Sequence, residues 1–288
     1  MLDGHEETET EGPRGVDEIE AIEHRLFLEA IRERYGYDFR DYAQPSMRRR
    51  VQVALAKSSL PDLGALQHRV LVDAEAFTRV LGDLTVQVSE LYRDPDFYQA
   101  FREQVTPMLR TYPLLNIWHA GCATGEEVYS MATLLREEGV YDRCQIYATD
   151  LSTAALDRAK QGVYPTKDFP SIVERYRRAG GRTTLDDHAT VAYDQIAFHE
   201  SVRSRILFFQ HDLVSDYVFA EMNVVVCRNV LIYLGRDLRG RVMHKLEQSL
   251  HGSGFLVLGS SERLPPLERA AYLEVAANER IYRRKGTP

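Results

Sequence analysis

Through its first hundred residues the chain repeats apolar positions every three or four residues, which is the spacing of amphipathic helices. The repeat covers residues 19–31, 46–57, 66–72 and 75–81. Residues 1–16 precede it with Gly, Pro, Glu and Thr and almost no large apolar side chains. The pattern predicts a disordered acidic tail over residues 1–16, then a helical N-terminal domain and linker over residues 17–95.

From residue 115 onward, short apolar runs alternate with helical segments. Leu115, Ile117 and Trp118 predict a buried strand, and Glu126 begins the helix that follows. Further strands are predicted at residues 145–150, 206–209, 224–226 and 255–258, and a closing hairpin at residues 272–275 and 280–283. The three consecutive valines of the 224–226 run are typical of a parallel sheet buried on both faces. The alternation predicts an α/β domain of the nucleotide-binding kind over residues 96–288.

Residues 163–204 interrupt this alternation. They hold a polar helical segment at 172–178, the pair Gly180-Gly181, and two short alternating runs at 190–193 and 196–198. A period of two is typical of half-buried strands. We therefore expect a small antiparallel subdomain inserted into the α/β domain.

Composition narrows the class of protein. A chain of 288 residues with 44% hydrophobic content can form one large domain and a smaller one. Its net charge of -7 argues against a dedicated nucleic-acid binder, because phosphate binding needs a basic surface. No apolar run approaches the roughly 18 residues that span a bilayer, so direct membrane insertion is not expected.

Cysteine and histidine spacing gives no sign of a metal site. Cys122, Cys144 and Cys227 form no C-x-x-C pair, and no H-E-x-x-H occurs. The acidic N-terminus is the opposite of a secretory signal. We expect a reduced cytoplasmic protein without a metal. We also expect a monomer, because no long apolar surface helix is evident.

The turn after the first strand indicates a ligand site. Gly121 and Gly125 lie between strand and helix, where glycines let the backbone approach a ligand closely. Glu126 and Glu127 open the helix, a place where pyrophosphate would be repelled and a cationic, hydroxyl-rich ligand is favoured. S-adenosylmethionine is such a ligand. Alternatively, the glutamates only stabilise the positive end of the helix.

Polar residues end three further strands. Asp150 closes the second strand, where an acid accepts hydrogen bonds from ribose hydroxyls in nucleotide-binding folds; a helix N-cap is the alternative role. Asp212 follows the next strand and is placed to accept from an adenine amino group. Arg228 and Asn229 emerge from the valine strand, where packing alone does not explain them.

The segment that links the two domains is unusual for a linker. In residues 84–95, Gln87, Ser89 and Arg93 are interleaved with apolar residues. This pattern predicts a segment half buried against something polar. An edge strand is the alternative.

Three consecutive arginines, Arg48, Arg49 and Arg50, lie on a predicted helix. Consecutive residues cannot all share one helix face. Positive charge concentrated within an acidic protein predicts a docking patch for an acidic partner, with a solvated helix surface as the alternative.

Taken in order, these segments resemble the CheR-type chemoreceptor glutamate methyltransferases. The motifs are YDFRDY with RRR five residues further on, LTVQVSELYRDP, AGCATGEEVYS, ATD, HDL, CRNVLIY and LGSSE. Each is weak alone, but their order and spacing over residues 35–284 are specific. The resemblance implies an all-helical domain preceding a Rossmann-like class I methyltransferase sheet with a small inserted antiparallel subdomain. It also implies methyl transfer from S-adenosylmethionine to glutamate side chains of a chemoreceptor's cytoplasmic coiled coil.

The resemblance also implies roles for individual residues. A linker over the cofactor would carry Gln87, Ser89 and Arg93. Further cofactor contacts are implied for Gly121, Glu126, Glu127, Asp150, Asp212, Leu213, Arg228 and Asn229. A receptor-docking helix would carry Arg48, Arg49 and Arg50. Tyr233 would stand close to the transferable methyl group.

Some positions depart from the family pattern. Gln87 and Ser89 stand where Asn and Thr are common, and Asp212 stands where Asn is usual. These changes keep the hydrogen-bonding types, so we expect cofactor binding to survive them.

Methyl transfer to a carboxylate needs no general base, because a glutamate of ordinary pKa is ionised near pH 7. Arg93 is predicted to orient the incoming carboxylate through a charge-assisted pair, with Tyr233 as a hydrogen-bonding neighbour. A nicotinamide oxidoreductase is disfavoured by the missing third glycine. An RNA or small-molecule methyltransferase would not explain the RRR helix or CRNVLIY. The alternative that stays open is an S-adenosylmethionine-binding regulatory module of a chemosensory-like pathway with little or no turnover.

Overall fold

The first part of the chain is helical, as predicted. The computed structural model describes residues 16–85 and 89–286, so residues 1–15 of the predicted tail lie outside the described residues. The first helices are α1 (Val16–Tyr35), α2 (Gln44–Ser58), α3 (Leu63–Val72) and α4 (Ala74–Leu84). Their apolar faces meet in a core that includes Phe27, Ile31, Met47, Leu66 and Leu84, each of which is at most 1% exposed.

Ten strands follow in the described chain. They are β1 (Leu115–Ala120), β2 (Cys144–Asp150), β3 (Val163–Pro165), β4 (Ala189–Ala192), β5 (Gln195–Phe198), β6 (Ile206–Gln210), β7 (Met222–Cys227), β8 (Leu250–Leu258), β9 (Tyr272–Ala276) and β10 (Ile281–Arg284). Seven of them form one sheet in the order β6-β2-β1-β7-β8-β10-β9. The first five of these are parallel to their neighbours, and β10 is antiparallel to both β8 and β9. The predicted parallel sheet and closing hairpin are confirmed.

Helices cover both faces of this sheet. The remaining helices are α5 (Pro95–Ala100), α6 (Thr106–Leu109), α7 (Glu126–Glu137), α8 (Thr153–Gln161), α9 (Phe169–Arg178), α10 (Glu200–Arg203), α11 (Arg236–Gln248) and α12 (Pro266–Arg269). Ile117 packs into the core under α7, and its neighbour Trp118 packs into the core under α11, because successive strand residues point to opposite faces. No helix in the described residues is long and apolar enough to cross a membrane.

The predicted inserted subdomain is a three-stranded antiparallel sheet in the order β3-β5-β4. A two-residue turn joins β4 to β5, with both Tyr193 and Asp194 at positive φ. Strand β3 was not predicted from the sequence, because three residues are too few to establish an alternating pattern.

The linker contains no strand in its described part. Helix α4 ends at Leu84, and residues 89–94 form loop and turn structure. The edge-strand alternative is therefore wrong for these residues. The side chains of Leu91 and Tyr92 are buried, whereas Glu90 and Asp94 are exposed, so the described part of this segment is half buried, as predicted.

Residues 41–43, which we call the strap, join the helical domain to the loop after β7. Tyr42 forms an isolated antiparallel bridge with Leu234. The Ala43 N–H donates to the Tyr233 carbonyl at 2.9 Å, and the Gly235 N–H donates to the Asp41 carbonyl at 2.7 Å. The strap therefore fixes the start of α2 against the loop that carries Tyr233.

A buried ion cluster joins the inserted subdomain to α7. Arg102 contacts Glu137 and lies 3.1 Å from Glu138. Arg182, from the inserted subdomain, pairs with Glu138 at 2.8 Å, and the Tyr176 hydroxyl donates to Glu137. Both glutamate side chains are at most 2% exposed. Buried carboxylates of this kind depend on their partners for stability.

We expect Glu137→Gln to destabilise the protein by about 3 kcal/mol at pH 7. Burial alone would raise the pKa of Glu137, but His188, Tyr176 and Arg102 lower it to about 2. A lowered carboxyl pKa stabilises the fold above the ordinary value of about 4.3, and this contribution is lost as the pH falls towards 2. Denaturant unfolding should therefore show the difference between variant and wild type shrinking below about pH 4.

The matched control is Glu174→Gln, which removes an exposed pair with Arg177. It should leave unfolding unchanged, because exposed pairs contribute little. A Glu137→Gln difference that stayed constant down to pH 2 would contradict the assigned ionisation.

Candidate active site

A cavity of about 370 Å³ opens at the carboxyl ends of β1, β2, β6 and β7, beneath the helical domain and the linker. This edge is where parallel α/β sheets bind ligands. Its lining comprises Tyr42, Arg49, Arg50, Thr85, Ser89, Arg93, Gly121, Cys122, Ala123, Glu127, Asp150, Leu151, His211, Asp212, Leu213, Val214, Arg228, Asn229, Val230, Tyr233 and Leu234.

The turn after β1 forms the floor of the cavity. The backbone N–H groups of Gly121 and Cys122 both donate to the Thr149 carbonyl at 2.8 Å. Gly121 has a φ of +77°, and a Cβ built on it would lie 2.5 Å from a methyl group of Val230. A side chain at this position would therefore be strained and would collide with the opposite wall.

Gly121→Ala should weaken S-adenosylhomocysteine binding at least tenfold and lower the unfolding midpoint, since both the positive φ and the close approach oppose alanine. The control is Gly139→Ala, because Gly139 has a similar φ of +69° but no atom within 4 Å of its built Cβ. That variant carries the backbone strain alone, so it should lose stability without losing binding. Calorimetric titration and thermal unfolding would measure both. Equal binding by the two variants would contradict a close approach at Gly121.

Asp150 holds the same turn in place. One carboxylate oxygen accepts from the Ala123 N–H at 2.8 Å, and the other accepts from the Ser152 N–H at 2.9 Å. Burial raises the pKa of Asp150, while these backbone donors act in the opposite direction. The N-cap of α8 is Ser152, whose hydroxyl accepts from the Ala155 N–H, so the N-cap alternative for Asp150 is wrong.

A buried charge cluster forms the wall beside this turn. Arg228 donates to Glu127 at 2.6 Å and to Asp94 at 2.7 Å, and its guanidinium lies 4.2 Å from the centre of the Phe97 ring. Burial alone would raise the pKa of Glu127, but Arg228 and His119 lower it to about 2. Two carboxylates therefore share one guanidinium at neutral pH. This excess of negative charge suits an ammonium group.

The three consecutive arginines do not act as one surface. Arg48 and Arg49 are exposed, with Arg49 at the cavity rim, whereas Arg50 is 7% exposed. Arg50 donates to the Leu84 carbonyl at 2.6 Å, and its guanidinium lies 4.4 Å from the centre of the Tyr233 ring. Arg50 thus lies inside the site and not on the exposed patch that was predicted to carry it. Its Nη2 is buried with no hydrogen-bond partner among the described residues.

The linker supplies the roof. Ser89 and Arg93 line the cavity on either side of two buried anchors, Leu91 and Tyr92. The Tyr92 N–H donates to the Ser130 hydroxyl at 2.9 Å, which fixes the linker on α7. Within residues 16–85 and 89–286, no carboxylate pairs with the Arg93 guanidinium.

The remaining walls come from the ends of β6 and β7. An Asp212 oxygen accepts from the Val214 N–H at 2.7 Å and so shapes its own loop. The Asn229 N–H donates to Glu262 at 3.0 Å, and Asn229 has a φ of +59°. Glu262 is 4% exposed and also accepts from the Gly259 N–H at 2.6 Å. Glu262 therefore holds the loop that presents Asn229.

Most of the residues that the sequence predicted as cofactor contacts line this one cavity, but among the described residues Glu126 and Arg48 are not part of the lining. Glu126 lies outside the lining, and its carboxylate accepts from the Thr124 hydroxyl at 2.7 Å. Arg48 is on the surface away from the lining. Gln87 lies outside the described residues. The sequence reasoning missed Tyr42 and Glu262, although both lie in quoted motifs, because neither motif indicates which distant loop its residue contacts.

The cavity fits S-adenosylmethionine in shape and charge. Its volume lies within the usual range for small-molecule sites. Its lining includes Leu151, next to Asp150, and Leu213 and Val214, next to Asp212; we call these three apolar residues the apolar slot, which suits adenosine, and the Glu127 cluster suits the ammonium end. In the described part of the chain, no group of three or more His, Cys, Asp or Glu side chains is placed to hold a metal ion.

Comparison with known proteins places these features in a family. Residues 87–280 match the CheR methyltransferase, SAM binding domain, and residues 22–85 match the CheR methyltransferase, all-alpha domain. The chain is 48% identical to the protein Cher3 of Pseudomonas putida, over 84% of this chain and 88% of that protein. It is 28% identical to the chemotaxis protein methyltransferase of Listeria monocytogenes, over 83% and 88% of the two chains.

A further relative is the chemotaxis protein methyltransferase 1 of Vibrio cholerae, which is 26% identical over 85% of this chain and 90% of that protein. The two matched domains account for the helical domain and the sheet with its inserted subdomain. Together, the matches and the fold identify an S-adenosylmethionine-binding methyltransferase. The chain belongs to the CheR methyltransferase family.

Proposed function

We propose that the protein transfers a methyl group from S-adenosylmethionine to glutamate side-chain carboxylates of chemoreceptor cytoplasmic domains, forming methyl esters. The observation that carries this proposal is the presence of two arginines without a carboxylate partner in the cavity lining. Arg50 and Arg93 both line the cavity, and neither guanidinium pairs with a described carboxylate. Arginine is suited to orient a planar carboxylate by paired hydrogen bonds. The names of the relatives, which are chemotaxis protein methyltransferases, support a chemoreceptor as the source of that carboxylate.

The reaction requires little from the protein beyond positioning the carboxylate and the methyl group. When bound, S-adenosylmethionine would supply a methyl group on a sulfonium: a carboxylate oxygen would bond to the methyl carbon as the carbon–sulfur bond breaks, and S-adenosylhomocysteine would leave as a neutral thioether. An ionised glutamate needs no general base, so the main contributions are alignment and exclusion of water. Arg93 orients the incoming carboxylate. Tyr233 is a hydrogen-bonding neighbour near the transferable methyl, and the Arg50 guanidinium against its ring fixes its position.

The exposed arginines are assigned to the partner. Arg48 and Arg49 are exposed on α2, and Arg49 also lines the rim of the cavity. A receptor helix that presents glutamates for methylation is acidic, so positive charge beside the cavity increases the rate of productive encounter. Arg50, on the same helix, extends this positive charge into the cavity.

The proposal is tested with labelled S-adenosylmethionine and chemoreceptor cytoplasmic fragments from the same organism. Protein-bound label would be treated with base, and the volatile methanol would be counted. Base-labile label establishes a carboxyl methyl ester, and peptide mapping then locates the glutamates. Cofactor binding without label would favour the regulatory module with little or no turnover. A chain that binds no cofactor would contradict the site itself.

A further inference from the structure

We propose that Tyr42, which belongs to the helical domain, forms one wall of the slot that holds the adenine ring of the cofactor. The inference rests on the assignment of the cavity to S-adenosylmethionine. It adds a cofactor-binding residue from outside the sheet domain. No position of the glycine turn or of the strand ends supplies this wall.

Tyr42 is part of the cavity lining. It lines the cavity together with the apolar slot residues Leu151, Leu213 and Val214, and it packs against the same apolar core as Leu213 and Val214. An adenine ring is a flat aromatic surface, and aromatic side chains stack on such rings favourably.

The Tyr42 ring is also held in place by its neighbours. Its backbone is fixed by the strap, through the bridge to Leu234 and the neighbouring bond from Ala43 to Tyr233. Its ring meets the Phe39 ring edge-on, with centres 5.2 Å apart. A fixed ring loses little conformational freedom when a ligand binds against it.

The Tyr42 hydroxyl is uncharged at neutral pH. Burial raises the pKa of the Tyr42 hydroxyl, and Asp212 and Asp150 raise it further. These two acids flank the adenosine slot, so the hydroxyl lies at the same end of the cavity. The phenol stays protonated at neutral pH and does not add a negative charge there.

The test is calorimetric titration of the full chain with S-adenosylhomocysteine. Tyr42→Phe keeps the ring and should bind within about threefold of wild type, whereas Tyr42→Leu keeps apolar volume without the ring and should bind roughly tenfold more weakly. Tyr37→Leu is the matched control. Tyr37 lies five residues earlier, packs against Phe77 at 5.4 Å and is not part of the lining, so its replacement should leave affinity within about threefold.

The outcomes separate this inference from the proposed function. Wild-type affinity in Tyr42→Leu overturns it. Equal losses in Tyr42→Leu and Tyr37→Leu also overturn it, because the effect would then be a general loosening of the helical domain. Thermal unfolding without ligand identifies that case. A wild-type chain that binds S-adenosylhomocysteine but methylates no receptor overturns only the proposed function, and one that does not bind it overturns both.

Discussion

Arg93→Ala is expected to reduce kcat for methyl transfer roughly 100-fold while changing S-adenosylhomocysteine affinity less than about threefold. Arg93 lines the cavity without a paired carboxylate in the described chain, so its charge is available to an incoming substrate. We expect the cofactor affinity to be largely retained, because the contacts proposed for Glu127, Asp150 and the apolar slot remain. Single-turnover methylation of receptor fragments and calorimetric titration measure the two quantities separately.

Two further variants sharpen this result. Arg93→Lys keeps a charge but not the paired donors, so it should recover only part of the rate. Arg25→Ala removes an exposed arginine of α1 outside the cavity lining and should leave both quantities unchanged. Equal losses of rate and affinity in Arg93→Ala would mean that Arg93 is simply a cofactor ligand.

Arg228→Met is expected to destabilise the fold by about 3–5 kcal/mol at pH 7, because it leaves Glu127 ionised and buried without its partner. The Arg228 side chain is 2% exposed and pairs with both Glu127 and Asp94. Without the guanidinium, burial would raise the pKa of Glu127, so the carboxyl would protonate more readily. The destabilisation should therefore shrink as the pH is lowered from 7 to 5, which denaturant unfolding at both values would detect.

A double-mutant cycle isolates the charge effect. Glu127→Gln combined with Arg228→Met should be more stable than the sum of the single changes predicts, since no unpaired carboxylate remains at residue 127. Arg269→Met, which removes an exposed pair with Glu274, should change stability by less than about 1 kcal/mol. Additive losses in the cycle would contradict an ionic coupling between Glu127 and Arg228.

The sequence predicted the strand-end residues well because their position follows from local pattern alone. Asp150 closes a strand, Gly121 follows one, and Asp212 comes two residues after another, so all three reach the same edge of a parallel sheet. Their convergence requires only that the strands pair. Strand pairing is what the apolar runs indicate.

Contacts across long distances could not be predicted in the same way. Arg228 pairs with Asp94, 134 residues away, and Arg50 turns inward although its neighbours Arg48 and Arg49 are exposed. Periodicity identifies the apolar face of a helix, but it does not indicate which loop will cover a charged residue. The weak helical period around Arg50 therefore left its burial undetermined, and the sequence predicted all three arginines as members of a docking patch.

The strap limits how this chain can be recombined with its relatives. In a hybrid that joined one protein's helical domain to another's sheet domain at residue 85, the strap and the loop after β7 would come from different proteins. The hydrogen bond from the Gly235 N–H to the Asp41 carbonyl would then depend on how well the two segments match. A Cβ at residue 235 would lie 2.4 Å from that carbonyl, so a relative with any other residue there could not accept this strap unchanged. Functional hybrids should therefore exchange residues 37–43 together with residues 229–235, although the two segments are almost two hundred positions apart in the chain.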